Sequence, residues 1–334
     1  MTVRVGLNGF GRTGRAFLRA VALGAADVDV VAVNDLGPPE ILADLLARDT
    51  VHGAFPAAVS LAGGELAVGD RMIRLISLPE VGDLPWNDLG VDVVVEATGR
   101  CTSKDAAARH LEGGAPRVVV SAPCRDADAT IAMGVNEAAY DPSRHWVVSG
   151  ASCTTNCLAP MAKVLDDAFG ITEGFVTTVH AYTADQRLVD AVHKDPRRAR
   201  AAGANIVPTT TGAAKAIGEV LPHLAGRLDG LALRVPVPDG SITDLVAVLA
   251  HGATAEQVRE AFRQAAASGP LAGRLVASVA PFVSSDVVGS PASCVVDLPL
   301  VMSDGRVVKV LGWYDNEFGY ACRLAELAAM VGAG

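Results

Sequence analysis

Val3-Arg4-Val5-Gly6-Leu7-Asn8-Gly9-Phe10-Gly11-Arg12-Thr13-Gly14 runs from a short apolar strand through a glycine turn into the start of a helix. Gly9, Gly11 and Gly14 fit the spacing G-x-G-x-x-G. Glycines so placed let the backbone turn tightly and approach a pyrophosphate, whose charge sits at the helix N-terminus. Alone the motif is weak, but the next strand ends at Asn34-Asp35, 21 residues past Gly14. An acid there accepts hydrogen bonds from the adenosine ribose and repels a 2′-phosphate. The stretch therefore predicts a dinucleotide site that favours NAD over NADP.

Working outward, strands at Val3–Leu7, Val28–Val33, Val91–Glu96, Val118–Ser121 and Trp146–Ser149 are separated by helical patterns such as Arg12–Leu23 and Glu40–Ala47. Such alternation implies parallel strands joined by right-handed crossovers, a doubly wound Rossmann-like sheet. Val59–Ile76 has hairpin character, with turns at Gly63-Gly64 and Gly69-Asp70. Beyond residue 152 the pattern changes. A long helix over Ser152–Phe169 and a strand over Gly174–His180 precede a mostly polar stretch, Ala181–Val207. Later strands at Leu231–Val237, Thr243–Ala250, Cys294–Asp297 and Val307–Tyr314 predict an α+β domain with a mixed or antiparallel sheet. Phe318–Val331 has helical spacing.

At 334 residues the chain suits two domains, and half its residues are apolar. No stretch approaches the roughly 18 uninterrupted apolar residues of a membrane helix. No basic-then-apolar leader precedes the first strand, so a cytoplasmic protein with no membrane association is expected. A net charge of −9 argues against nucleic acid as the main partner. The basic run His193–Arg200 is the local exception. Six cysteines show neither Cys-x-x-Cys pairs nor zinc spacing, so no metal is expected.

Ser149-Gly150-Ala151-Ser152-Cys153-Thr154-Thr155-Asn156-Cys157 places Cys153 in the first turn of the long helix. Unpaired backbone N–H groups and the positive dipole end stabilise a thiolate there. Cys157, one turn on, reads as a buried small hydrophobe. A nucleophilic thiol needs a base, and His180 leaves a strand end beside the polar stretch. It predicts a thiolate–imidazolium pair that can also shuttle the substrate proton.

These residues closely resemble the phosphorylating glyceraldehyde-3-phosphate dehydrogenases, from Asn8-Gly9-Phe10-Gly11-Arg12 to Trp313-Tyr314-Asp315-Asn316-Glu317. Ala151–Cys157 and Pro208-Thr209-Thr210-Thr211-Gly212-Ala213-Ala214-Lys215 carry the resemblance most specifically. It implies an NAD-binding domain over 1–152, a catalytic domain over 153–316, and a terminal helix over 317–334 packing back on the first. It further implies Cys153 as nucleophile and His180 as its acid–base partner. Thr183 and Arg234 would meet the phosphate of glyceraldehyde 3-phosphate. Ser152, Thr154, Thr211, Gly212 and Arg198 would meet inorganic phosphate. Asn8, Gly9, Phe10, Gly11, Arg12, Thr13, Asp35, Thr98 and Ser121 would line the cofactor, with Asn316 and Tyr320 at its nicotinamide. A homotetramer is implied, with Ala181–Val207 as a loop at subunit and cofactor contacts. The Arg and Thr residues then serve phosphate oxygens.

Several positions depart from the family pattern. Gly150 stands where Asn is usual, which suggests a loosened approach to the nucleophile. Thr13 replaces a hydrophobic residue and Cys101 a Phe; Leu75–Glu80 lacks the usual Arg. Ala191-Val192 replaces a bulky Leu-Pro pair, which leaves room for some NADP use. The alternatives are erythrose-4-phosphate dehydrogenase, which typically lacks the Thr-Thr-Thr-Gly set, and a catalytically silent nucleotide-binding or redox-regulatory relative.

Overall fold

A computed structural model describes residues 2–334. The chain forms two compact units, one running to Ser152 and including Tyr320–Gly334, the other Cys153–Gly319.

The first unit contains, in chain order, β1 (Val3–Asn8), α1 (Arg12–Ala22), β2 (Val28–Asn34), α2 (Pro39–Ala47), β3 (Arg48–Asp49), β4 (Gly53–Ala54), β5 (Val59–Ala62), β6 (Glu65–Val68), β7 (Arg71–Ile76), β8 (Val93–Glu96), α3 (Lys104–Glu112), β9 (Val118–Val120), β10 (Ala129–Thr130) and β11 (Val147–Ser149). Nine strands form one sheet in the order β10-β11-β9-β8-β1-β2-β7-β6-β5. It is parallel from β10 to β7 and ends in an antiparallel meander. Val93-Val94-Val95 and Val118-Val119-Val120 are fully buried. They are the continuous apolar runs that a parallel sheet covered on both faces requires.

The chain winds outward from β1 to β2 in one direction and resumes at β8 on the other side. The carboxyl ends of β1 and β8 therefore flank the crevice where such sheets take ligands. Asn8 and Glu96, the last residues of those strands, are register partners. Gly9 sits at φ 96°, a conformation that costs glycine little. A Cβ on Gly14 would strike the Gly9 carbonyl, so the glycines bring α1 against the turn.

The second unit contains α4 (Cys153–Phe169), β12 (Ile171–Ala181), β13 (Val207–Thr210), α5 (Ala213–Val220), β14 (Leu228–Val235), β15 (Ser241–Leu249), α6 (Ala255–Ala267), β16 (Leu275–Ser278), β17 (Cys294–Asp297), β18 (Met302–Asp304) and β19 (Val307–Tyr314). The sheet order β13-β14-β12-β15-β19-β17-β16, with β18 on β19, is mixed. The mixed sheet agrees with the expectation from the strand pattern. Along β15 buried and half-buried residues alternate without a break, the signature of a sheet covered on one face. The cover is α4, packed on β15, β17 and β19 and flanked by α5 and α6.

Element type was readable more often than extent. β12 reaches back to Ile171, and β14 begins at Leu228 and stops at Val235. Residues between 182 and 206 contain no strand, only a 3-10 turn at Ala202–Ala204. They are held by their own ion pairs, Arg198 with Asp185 and Arg200 with Asp190. The closing helix α7 (Phe318–Gly332) is capped by Asp315 Oδ1, which accepts from the N–H groups of Glu317 and Phe318. Its later residues belong to the first unit, where the Tyr140 hydroxyl donates to the Val331 carbonyl at 3.3 Å.

Candidate active site

β11 ends at Ser149, and two residues later Ala151 adopts φ 57°. A left-handed non-glycine costs on the order of 1 kcal/mol or more and persists only where surroundings enforce it. Here the Ala151 N–H donates to Ser149 Oγ at 3.0 Å, and its carbonyl accepts from the Tyr320 hydroxyl at 2.9 Å. The kink sets Cys153 as the first residue of α4, where N–H groups lack intrahelical partners.

Gly150 does not loosen this turn. A Cβ there would lie 2.8 Å from Leu324 Cδ2 and 3.3 Å from the Tyr320 hydroxyl. A side chain there would have to displace the tip of Leu324.

β12 and β14 run parallel with His180 opposite Arg234, so both side chains lie on the helix-covered face. His180 is buried, and its Nε2 is 3.4 Å from Cys153 Sγ. Its Nδ1 has two neighbours, Arg234 Nη1 at 2.6 Å and the Ala181 carbonyl at 2.7 Å. Arg234 Nη1 also donates to that carbonyl at 2.9 Å. A guanidinium can only donate and a carbonyl can only accept, so the two compete for Nδ1 and for the placing of the ring proton. Buried Tyr314 closes the floor, its ring 5.9 Å from the imidazole and nearly edge-on. Its oxygen is 2.9 Å from Thr154 Oγ1 and 2.8 Å from Thr178 Oγ1.

Burial acts against charge on both members of the pair. Burial pushes the Cys153 thiol up to about 11, opposed by the Arg234 charge and the Thr154 hydrogen bonds at the helix end. Burial also drives His180 down to about 3, and Arg234 adds to the drop. The Arg234 charge lowers both groups, favouring thiolate on Cys153 and opposing charge on His180. Arg234 Nε is buried with no hydrogen-bond partner among the described residues.

Arg198 is engaged by Asp185, by Asp195 at 3.6 Å and by Thr209 Oγ1 at 2.9 Å. Thr183 N–H faces Gln186 Oε1 at 3.4 Å. Thr211 Oγ1 accepts from Ala213 N–H, and Gly212 caps α5 with open space where a side chain would be. Thr154 is buried with its hydroxyl on Tyr314, whereas Ser152 is only partly buried. Asn316 Oδ1 accepts from Ser241 Oγ at 2.6 Å.

In the first unit a groove of about 260 Å3 runs along the carboxyl ends of β1, β2 and β8. Asn8, Gly9, Gly11, Asp35 and Thr98 line it, with Arg100 and Cys101 on one wall. Asp35 takes the Phe10 N–H on Oδ2 and the Gly37 N–H on Oδ1. The Phe10 side chain is buried away from the groove, and Arg12 pairs with Asp49 at 2.6 Å. Thr13 falls in the first turn of α1, and Ser121 N–H joins the sheet at Glu96 O. Cys101 stays neutral, its thiol pushed up to about 11 by burial and the nearby Glu96 charge.

Beneath the groove lies a polar network that the motif reading missed. Trp86 Nε1 donates to His110 Nδ1 at 3.0 Å, so His110 carries its proton on Nε2, 2.9 Å from Glu96 Oε2. Asn8 Nδ2 donates to the same oxygen at 2.6 Å, and Asn34 Nδ2 donates to Asn8 Oδ1 at 2.8 Å. Glu96 Oε1 receives both the N–H and the hydroxyl of Thr98. Burial raises the Glu96 carboxyl, but His110 and the other donors outweigh it and hold it below its ordinary range. The available signal was an acid ending an otherwise all-valine strand.

A glycine cradle at a strand-end crevice and a thiol facing an imidazole fit the class of nicotinamide-linked dehydrogenases that work through a cysteine. Two family models narrow it: "Glyceraldehyde 3-phosphate dehydrogenase, NAD binding domain" matches residues 3–104, and the "C-terminal domain" of the same family matches 152–316. Glyceraldehyde-3-phosphate dehydrogenase 2 of Streptomyces arenae is 56% identical over 333 residues, covering 100% of this chain and 99% of its own. The glyceraldehyde-3-phosphate dehydrogenase of Mycolicibacterium smegmatis is 54% identical, covering 99% of both chains. That of Geobacillus stearothermophilus is 53% identical, covering 99% of this chain and 98% of its own. The chain belongs to the glyceraldehyde-3-phosphate dehydrogenase family.

Proposed function

We propose that this chain converts D-glyceraldehyde 3-phosphate and inorganic phosphate to 1,3-bisphosphoglycerate, with NAD, in glycolysis and gluconeogenesis. The observation that carries the reading is Cys153 Sγ at the start of α4, 3.4 Å from His180 Nε2. Cys153 gives its thiol proton to His180 as its sulfur bonds to the aldehyde carbon, and His180 passes that proton to the carbonyl oxygen. As that carbon is oxidised, the hydroxyl proton returns to His180 and a thioester remains. An oxygen of inorganic phosphate then displaces the sulfur, which leaves as thiolate. Covalent capture conserves the oxidation energy in the thioester.

Bound NAD supplies the hydride acceptor. The residues fit it: Gly9 and Gly14 bring the helix end to the groove floor, and Gly11 has open space where a side chain would be. Asp35, at the end of β2, favours NAD, with some NADP use left open by Ala191-Val192. The first unit is then the cofactor domain and the second the catalytic one. Arg234 and Thr183 serve the substrate phosphate; Arg198, Thr211, Gly212, Ser152 and the start of α4 serve inorganic phosphate. Asn316 and Tyr320 serve the nicotinamide.

We assign a cytoplasmic homotetramer. Phe175 is 72% exposed on β12 and Leu231 44% exposed on β14, both on the sheet face that no helix of the unit covers, and a second copy would bury them. No helix of the described residues is long and apolar enough to cross a membrane. Purified protein should reduce NAD with glyceraldehyde 3-phosphate only when phosphate is present. Equal rates without phosphate, or faster turnover of erythrose 4-phosphate, would refute the assignment.

A further inference from the structure

Three sulfur atoms from separate elements of the second unit converge on one point. α4 presents Cys157 and Met161 one helical turn apart, which puts both on the same face. Their sulfurs are 4.0 Å apart. β17 brings Cys294, and Gly312 of β19 faces all three. A Cβ on Gly312 would stand 2.6 Å from Cys294 Sγ, 2.6 Å from Met161 Sδ and 3.2 Å from Cys157 Sγ. Any other residue at 312 would push the sulfurs aside, so the glycine is what lets them meet. All three sulfur-bearing side chains are fully buried.

A second observation marks the same corner. Thr243 of β15 is the register partner of Gly312, so its side chain stands beside that point on the same sheet face. Its hydroxyl is buried and has no hydrogen-bond partner among the described residues. Leaving a buried hydroxyl unpaired is costly. A thiolate formed next to it would supply the missing acceptor.

We propose that Cys157, Cys294 and Met161 form a binding site for a soft monovalent metal ion, Cu(I), with Thr243 donating to a bound thiolate. Two thiolates and a thioether are the soft donors that select Cu(I) over oxygen-seeking cations. With metal–sulfur bonds of about 2.3 Å, the length that zinc thiolates have, a planar three-coordinate ion holds its sulfurs about 4 Å apart. Cys157 and Met161 already stand at that separation.

In the resting protein Cys157 Sγ donates to the Gly312 carbonyl at 3.5 Å. Burial and the neighbouring Cys157 thiol push the Cys294 thiol well above its usual value. The cluster thus keeps its protons until a metal displaces them. On capture both S–H bonds break and two protons leave. Each sulfur gives an electron pair to the ion, and nothing is oxidised or reduced. The ion then ties α4, whose first residue is Cys153, to the sheet beneath it. No spacing in the sequence announces the site, because Cys157 and Cys294 lie far apart in the chain.

The test uses the full chain carrying Cys153→Ser, which removes the reactive thiol as a competing ligand. Cu(I) is offered without oxygen as its coloured bicinchoninate complex, and the loss of colour counts the ions taken up. One ion per chain is expected, with a new ultraviolet thiolate-to-copper absorption and a raised melting temperature. Adding Cys157→Ser or Cys294→Ser should abolish uptake, each variant being shown folded by circular dichroism. Met161→Leu, close to methionine in volume, serves should a serine variant fail to fold, and it should weaken binding. Thr243→Val keeps the side-chain shape and loses only the hydroxyl. It should bind roughly 10- to 100-fold more weakly, the loss seen when a group supporting a metal ligand is removed. No uptake by the Cys153→Ser protein, or uptake unchanged in the serine and leucine variants, overturns the site. Full affinity in Thr243→Val overturns the part given to the hydroxyl.

Discussion

Two fully enclosed histidines, one in each unit, have opposite surroundings. His110 accepts from a tryptophan N–H on one side and donates to a carboxylate on the other. The Trp86 N–H can only donate and the Glu96 carboxylate can only accept, so the tautomer is fixed. His180 has a cation and a carbonyl on one nitrogen and a thiol on the other. The partners of His110 place its proton, whereas a donor and an acceptor share Nδ1 of His180 and do not. Complementary partners thus surround the ring in the first unit, and competing ones the ring beside the thiol.

The comparison breaks hardest at the reactive ring. His180→Gln keeps a donor near sulfur but no acid–base group, and kcat should fall roughly 10^2- to 10^4-fold with little change in the dissociation constant for NAD. Steady-state kinetics and cofactor titration check this; a loss of only a few-fold would remove His180 from the chemistry. The counterpart change, His110→Ala, leaves the Trp86 N–H and one donor place on Glu96 without their partner. It should cost about 2 to 4 kcal/mol of stability, read from urea unfolding, while alkylation of Cys153 in the folded variant keeps its wild-type pH profile.

Acid titration sharpens the contrast. Glu96 is held below its unfolded value of roughly 4.3, so its contribution is complete above that value. It is lost as pH falls through the lower folded one. His180 is also depressed, to about 3. Being a base, it erodes stability as soon as pH drops below its unfolded value of roughly 6.5, and goes on doing so down to about 3. His180→Gln should therefore flatten the stability curve between those two values, and Glu96→Gln only at the acid end. Identical slopes in all three proteins would remove the distinction. The smallest effect is expected at Gly150→Ala, whose Cβ meets Leu324. Overpacking of about 1 to 3 kcal/mol should be largely relieved by Leu324→Ala; a neutral single variant would mean that α7 yields.

Much of the site was legible because its signals are local. Gly9, Gly14 and Asp35 announce a backbone conformation and a charge at a strand end, and Cys153 announces a helix start. Glu96, His110 and Trp86 were not legible as a group, because 14 and 24 residues separate the members of each pair. Tyr314 reaches Thr154 across 160 residues. Gly150 was misread for the same reason: the space beside it is governed by α7, 170 and more residues away.

Periodicity, glycine placement and residue chemistry determine on their own the parallel sheet, the turn at its switch point and the thiol at a helix end, because each depends on neighbours within a few positions. Which protonation state each buried ring adopts, and whether a missing side chain leaves a hole, was decided only by the packed structure. Burial and the sign of the nearest charge set those outcomes, and both arrive from segments far away in the chain.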